Sequence, residues 1–238
     1  MLVNDWEEPH RTMVVIAGLE KPIDETEATA IHDFVTELGG KVIVATDGTN
    51  ANRLAEKFGV TFFGEPLLDE DQNWRTYDDD GNPSAENPTN VWGISSIRTD
   101  IQSNEQLGVN PIGCTTEMLN GGSDAVDDCR IPVMFKAPTA MRWESVETDD
   151  PNHDDYQRRD VSVLAMASVS ACIDRIGTQS CDEFQNPLSN RSLILRIDYP
   201  SIEVYGERRI ADSDGSSYGS LDATGSIVFI SDEEALSN

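Results

Sequence analysis

The sequence predicts an α/β fold, doubly wound around a mostly parallel sheet, with long acidic loops. Residues 13–63 follow the order strand, helix, strand, helix and short strand. Their strands are continuous apolar runs, as in parallel strands buried on both faces. Two strands joined through a helix imply a right-handed parallel crossover. At 238 residues, the chain is expected to form a single domain over residues 1–238.

The first strand and helix are the most strongly marked elements. Met13–Ala17 is a continuous apolar run that predicts a buried strand. Asp24 with Glu27 three residues later has the pattern of a capping box, which opens a helix. The pair Gly39-Gly40 is expected to end that helix. Its apolar stripe at helical spacing consists of Ile31, Phe34, Val35 and Leu38.

Later elements are predicted from apolar runs and turn residues. A second helix places Leu54 and Phe58 on one face. Residues 161–171 are compatible with a central strand or with a buried helix. Ser231 and Glu234 repeat the capping-box pattern and predict a last helix. Because the sequence stops at Asn238, before this helix could complete two turns, the chain is expected to be a segment of a longer protein. The other predicted strands are residues 42–45, 60–63, 92–97, 131–135, 193–197, 202–205 and 227–230.

Three acidic stretches are predicted to be loops, at about residues 66–90, 144–160 and 211–225. The first and second are too polar for a core, and the third is rich in Ser, Gly and Asp. Loops this long in a compact domain are usually functional or disordered.

The net charge of −27 restricts the classes of partner. No cluster of Lys and Arg is present to neutralise nucleic-acid phosphates, and an anionic membrane surface is disfavoured for the same reason. The charge is typical of a surface adapted to salt or of a calcium-rich environment, and composition does not separate the two. No run approaches the roughly 20 apolar residues of a membrane span, so this segment is not expected to insert directly.

The four cysteines fall into two pairs that are local in sequence, and none forms a C-x-x-C motif. We predict two disulfides, Cys114–Cys129 and Cys172–Cys181, which would imply an oxidising compartment. The alternative is four reduced thiols, because connectivity does not follow from sequence alone.

A ligand cleft is predicted at the carboxyl ends of the parallel strands, where doubly wound sheets bind their ligands. Helix N-termini at this edge would favour an anion. The alternative is that the same residues serve only as caps and turns. The predicted cleft residues are Gly18, Glu20, Asp47, Thr49, Asn50, Thr139 and Asp232.

A calcium site is the only cofactor site that the sequence suggests. Asp78 and Asp80 lie in a stretch that resembles a calcium loop, but its first Asp is missing and Asn87 occupies the position of the bidentate Glu. The alternative is a solvated acidic loop without a metal.

The stretch from the first strand to the second also resembles a known family. Its pattern of a loop glycine, a capped helix, a Gly-Gly pair and an apolar strand is filled here by Gly18, Ile23, Asp24, Glu27, Phe34, Val35, Gly39, Gly40 and Ala45. This pattern is similar to that of glutamine-amidotransferase-like domains of archaeal and bacterial membrane-associated proteins, which are related to auxiliary components of gliding-motility ABC transporters. Residues 135–143 and 227–238 match the family more loosely.

The resemblance implies a flavodoxin-like three-layer sandwich with a mostly parallel sheet, of the class I glutamine-amidotransferase-like type. In that family the domain lies outside the cell membrane, tethered by helices that this segment lacks, and usually has no demonstrated catalysis. A working site would need a Cys nucleophile on a tight turn, a His base and an acidic residue. Cys114 lacks the glycines of that turn, and Ser95 lacks one of them. His153 stands two residues before Asp155 without a nucleophile motif nearby.

The expected function is therefore that of a non-catalytic, extracytoplasmic domain that binds a ligand or, as the preferred interpretation, a protein partner in a membrane-associated assembly; the resemblance implies a relation to ABC transport. One alternative is a hydrolase or amidotransferase with a site near His153 or Cys114. The other is a calcium-dependent surface module.

Overall fold

The computed structural model describes residues 8–71, 73–98, 130–144, 159–168, 170–174, 191–210 and 217–236. These residues form a ten-stranded mixed sheet and two α-helices, α1 (Glu25–Thr36) and α2 (Asn52–Ala55). The strands are β1 (Met13–Ala17), β2 (Lys41–Ala45), β3 (Val60–Leu68), β4 (Asn90–Arg98), β5 (Arg130–Lys136), β6 (Thr139–Trp143), β7 (Asp160–Ala167), β8 (Cys172–Ile173), β9 (Ser192–Ile210) and β10 (Ser217–Ile230).

The prediction of a mostly parallel three-layer sandwich is wrong. Within the described residues, parallel pairing is confined to β1 with β2 and β2 with β10. The other strand pairs are antiparallel. The reason is that an apolar run marks a buried strand without giving its direction. The parallel crossover predicted through α1 is confirmed, but the strands after residue 60 pair mainly with antiparallel neighbours.

The predicted loop at 211–225 is wrong from Ser217 onward, because β10 begins there and pairs antiparallel with β9. Its Ser, Gly and Asp residues have low strand propensity, but ladder hydrogen bonds to a long neighbour outweigh that preference. β9 itself runs for 19 residues and covers the two strands predicted at 193–197 and 202–205. The carboxyl half of β10 pairs on its other side with β2, so it joins the parallel and antiparallel parts of the sheet.

The first helix is confirmed. Asp24 Oδ1 accepts a hydrogen bond from the Glu27 amide at 2.8 Å, and Glu27 Oε2 accepts one from the Asp24 amide at 3.1 Å, which completes the capping box. Phe34 and Val35 are buried against the sheet, whereas Ile31 remains half-buried. The apolar stripe of α1 is therefore only partly covered.

Other predicted elements differ in length. The second helix is a single α-turn followed by a 3-10 turn over Glu56–Phe58, and Gly59 ends it with φ 70°. The predicted last helix is a 3-10 turn over Glu234–Leu236. β3 extends five residues past the predicted end at 63, and β6 and β8 had no counterpart in the prediction. The acidic loop predicted at 66–90 lies between the end of β3 at Leu68 and the start of β4 at Asn90. Residues 145–158 of the second predicted loop lie outside the described residues.

Two apolar cores lie on opposite faces of the sheet. The first is formed by α1, α2 and strand residues that face them, with Phe58, Phe62 and Phe229 at its centre. The second lies where β3, β4 and β5 cover the other face of β2 and β10, and it includes Ala45 and Phe135. Within the described ranges, no helix has the length and apolarity to cross a bilayer.

We expect Gly225→Ala to destabilise the domain strongly, because the backbone of α1 at Val35 lies directly against this residue. An added Cβ would lie 1.9 Å from the Val35 carbonyl oxygen, and a backbone atom cannot move aside as a side chain can. Overpacking of this kind costs about 1–3 kcal/mol or more. Gly48→Ala is the control, because its Cβ would meet no atom within 4 Å. Urea unfolding of both variants tests this, and equal losses would contradict it.

Candidate functional site

The carboxyl ends of β1, β2 and β10 meet at one edge of the sheet. Because these strands are parallel, Ala17 lies beside Ala45, and Ala45 lies beside Ile230. The chain continues from these ends into Gly18, Asp47 and Asp232. The structure therefore brings three of the predicted cleft residues to one edge, as expected for parallel strands.

Asp232 is an anchor of this edge. It is 2% exposed, and its Oδ2 accepts a hydrogen bond from the Lys136 amide at 2.7 Å. Its Oδ1 accepts one from the Glu234 amide at 2.9 Å. The Lys136 ammonium lies 3.0 Å from both carboxylate oxygens of Glu234. Asp232 thus fastens the end of β5 to the segment that follows β10.

The charges at this edge are mainly negative. Burial raises the pKa of Asp232 above its ordinary value, against the two amide hydrogen bonds that lower it, and the carboxylates of Glu234 and Asp47 raise it further. The charge of Asp47 is the main cause that raises the pKa of Glu233. An anion is therefore disfavoured here, and α2 is too short to offer the helix terminus that the sequence predicted.

A cavity of about 300 Å³ opens beside these carboxylates. Gly18, with φ 63°, turns the chain away from β1 at its rim. The cleft predicted from sequence includes Gly18 but not Glu233, Glu234 or Leu236, although the Ser231–Glu234 capping pattern marks that segment. The residues that line the cavity are Ala17, Gly18, Glu233, Glu234 and Leu236.

Two of the remaining predicted cleft residues, Thr139 and Asn50, connect separate chain segments through hydrogen bonds. Thr139 is fully buried; its hydroxyl donates to the Glu65 carbonyl at 3.1 Å and accepts from the Gly64 amide at 2.8 Å. The Asn50 side chain donates to the Leu19 carbonyl at 2.6 Å. Thr49 lies against Gly64, and Glu20 is exposed in the loop after β1. Their place in a ligand cleft stays a prediction.

β1 presents a second candidate surface. It is the last strand at its end of the sheet, and no strand of the described residues pairs with its outer edge. Met13 and Val15 on one face are each 56% exposed. On the other face, a groove of about 240 Å³ runs between β1 and α1, lined by Val14, Ile16, Leu19, Ile23, Glu27, Ala30 and Ile31.

The predicted calcium loop is held by its own hydrogen bonds. Asp78 Oδ1 accepts from the amides of Asp80 (3.1 Å) and Asn82 (2.8 Å), and its Oδ2 accepts from the Asn82 side chain at 3.1 Å. The Asn82 amide and side chain are the main causes that lower the pKa of Asp78. No group of three or more metal-ligating side chains occurs within the described ranges. Calcium binding by Asp78 and Asp80 stays a prediction.

A buried polar cluster around Asp69 was not predicted from the sequence. Asp69 is fully buried, and its carboxylate accepts hydrogen bonds from the hydroxyls of Ser168 and Ser170. The Arg191 guanidinium donates to the Ser168 carbonyl at 3.0 Å. The Asp174 amide donates to the Pro66 carbonyl, so these residues join the end of β3 to the segment around β8. A single Asp at the start of an acidic loop gives no sequence signal of such burial.

Cys172 lies beside this cluster, 5% exposed, and it is disulfide-bonded. Its pairing with Cys181 stays a prediction, because Cys114, Cys129 and Cys181 lie outside the described residues. His153 lies outside them too, so the alternative catalytic site near His153 or Cys114 has no described geometry.

Comparison of the chain with protein-family models, with curated proteins and with solved structures gives no match. The resemblance to glutamine-amidotransferase-like domains therefore stays a prediction from sequence. The parallel sandwich that it implies is not the fold of this chain.

Asp47→Asn is expected to lower the pKa of Glu233 toward its ordinary value, because it removes the main repelling charge. A raised pKa favours folding below the ordinary glutamate pKa, and that contribution is lost as the pH rises through the raised value. As the pH rises from the ordinary glutamate pKa through the raised pKa of Glu233, the Asp47→Asn variant should therefore lose less stability than the unmodified chain. An NMR titration of the Glu233 carboxyl tests this, with Glu20→Gln as control because Glu20 is not among the charges that act on Glu233. An unchanged pKa in Asp47→Asn would contradict it.

Asp78→Ala is expected to speed hydrogen exchange at the amides of Asp80 and Asn82 in calcium-free buffer, because both amides donate to its carboxylate. Asp79→Ala is the control with the same change of charge. If the two variants exchange alike without calcium and differ only with it, Asp78 acts as a metal ligand rather than as a turn residue.

Proposed function

We propose that this chain is a non-catalytic interaction domain that binds a protein partner within a membrane-associated assembly outside the cytoplasm. The observation that carries this proposal is the open edge of β1. A strand at the end of a sheet leaves a row of backbone donors and acceptors without partners. Here that strand is entirely apolar, MVVIA, and Met13 and Val15 are each more than half exposed.

Edge strands in proteins that remain monomeric usually carry a charge, a proline or a bulge that prevents pairing. β1 has none of these, and its five-residue ladder with β2 is uninterrupted. Exposed apolar surface next to an apolar groove is typical of an interaction site. These features support binding of a protein rather than of a small polar ligand.

The disulfide at Cys172 supports the location outside the cytoplasm, because disulfides persist mainly in oxidising compartments. The membrane-associated assembly, related to ABC transport in the resemblance, rests on sequence alone. The net charge of −27 keeps the domain soluble and disfavours direct contact with anionic lipid.

Site-specific photo-crosslinking in intact cells tests the proposal. A photoreactive residue at Val15 should give one discrete adduct that sediments with the membrane fraction. The control places the photoreactive residue at Tyr77, which is 68% exposed and lies in the acidic loop between β3 and β4. Equal adducts at both positions, or none at Val15, would overturn the proposal. An adduct confined to the cytosol would overturn its location.

A further inference from the structure

We infer that the partner binds as an added β-strand beside β1, and that the segment it contributes is extended, apolar in its middle and basic at the end that lies next to the carboxyl end of β1. This inference rests on the proposed function and specifies the chemistry of the partner.

The groove lies over the outermost strand of the sheet. α1 packs mainly on β2, β9 and β10, so β1 lies at the margin of the surface that the helix covers. Ala30 and Ile31 of α1 stay half-buried, and they line the groove together with Val14 and Ile16 of β1. Neighbouring strands lie about 4.8 Å apart, so a strand added beside β1 would continue the apolar floor that Val14 and Ile16 form.

The backbone of β1 supplies the specificity for an extended segment. Strand addition uses main-chain hydrogen bonds for affinity and pockets for alternate side chains for selectivity. Alternate residues of an added strand would enter the groove beside Val14 and Ile16, and the residues between them would cover Met13 and Val15. The segment therefore needs about five residues, the length of β1, with apolar side chains at least on the groove side.

The charge around the groove is negative at the carboxyl end of β1. There Glu27 lines the groove, Glu20 is exposed in the loop after β1, and Glu233 lies in the neighbouring cavity. The other end of β1 lies beside Arg11 and Lys41. A second copy of the chain would bring another net charge of −27 to this edge, which repulsion opposes. A segment with Lys or Arg at the end next to these glutamates would instead be attracted, and the attraction would weaken with salt. The charge therefore favours a different, basic protein over self-association.

Labelled synthetic peptides test the inference by fluorescence anisotropy with the whole chain. The probes share an alternating Val-Thr core and carry Lys at both ends, Glu at both ends, or Lys ends with a central Pro that removes a backbone donor. We expect the Lys-flanked peptide to bind roughly ten-fold or more tightly than the other two, a difference of about 1.4 kcal/mol. Its affinity should fall as salt is added, and binding should slow hydrogen exchange at β1 amides.

Val15→Lys should weaken binding of the Lys-flanked peptide, whereas Tyr77→Lys, with the same change of charge at another exposed site, should not. Folding of both variants is checked by their unfolding midpoints. Equal binding of Lys- and Glu-flanked peptides would overturn the basic partner. Binding without protection of β1 amides, or no binding, would overturn strand addition. Dimers that Val15→Lys dissociates would show a second copy as the occupant.

These outcomes are distinct from failure of the proposed function. A specific Val15 crosslink without peptide binding overturns only the strand-addition mode. Absence of the crosslink overturns the interaction domain itself.

Discussion

The pairing of β10 on both of its edges is the constraint on which the rest of the structure depends. One edge is parallel to β2, and the other is antiparallel to β9. The parallel side aligns the carboxyl ends of β1, β2 and β10, which places Asp47 beside Asp232. The antiparallel side extends the sheet toward β7 and β4, whose residues close the second core. Gly225 permits this arrangement because α1 lies directly against it.

The same constraint leaves β1 as the last strand. α1 packs mainly on β2, β9 and β10, and β1 lies at the margin of the surface that it covers. Apolar surface of β1 therefore remains exposed to solvent at this edge of the sheet. The net charge of −27 opposes self-association through this surface. The exposed apolar edge and the charge together are the basis for the proposed basic protein partner.

The acidic edge shows how far a candidate site can be predicted from sequence. Gly18, Asp47 and Asp232 were predictable because residues after parallel strands meet at one edge. Glu233 was not, because nothing in the sequence shows that its side chain lines the cavity while that of the neighbouring Asp232 is buried. Thr139 was assigned to the cleft but bonds to the backbone of β3. The Asp69 cluster could not be predicted, because the residues that bond to Asp69, Ser168 and Ser170, lie about a hundred residues away in the chain.

The sequence by itself determined the local elements near the amino terminus. The capping box of Asp24 and Glu27, the apolar run of β1 and the Gly59 turn are decided by residues close in the chain, where propensity and side-chain hydrogen bonds act. Only the tertiary structure decided the direction of the later strands, the conversion of residues 217–225 from predicted loop to strand, and the open edge of β1. These depend on which distant strand supplies the hydrogen-bonding partner, and local preference carries no information about that choice.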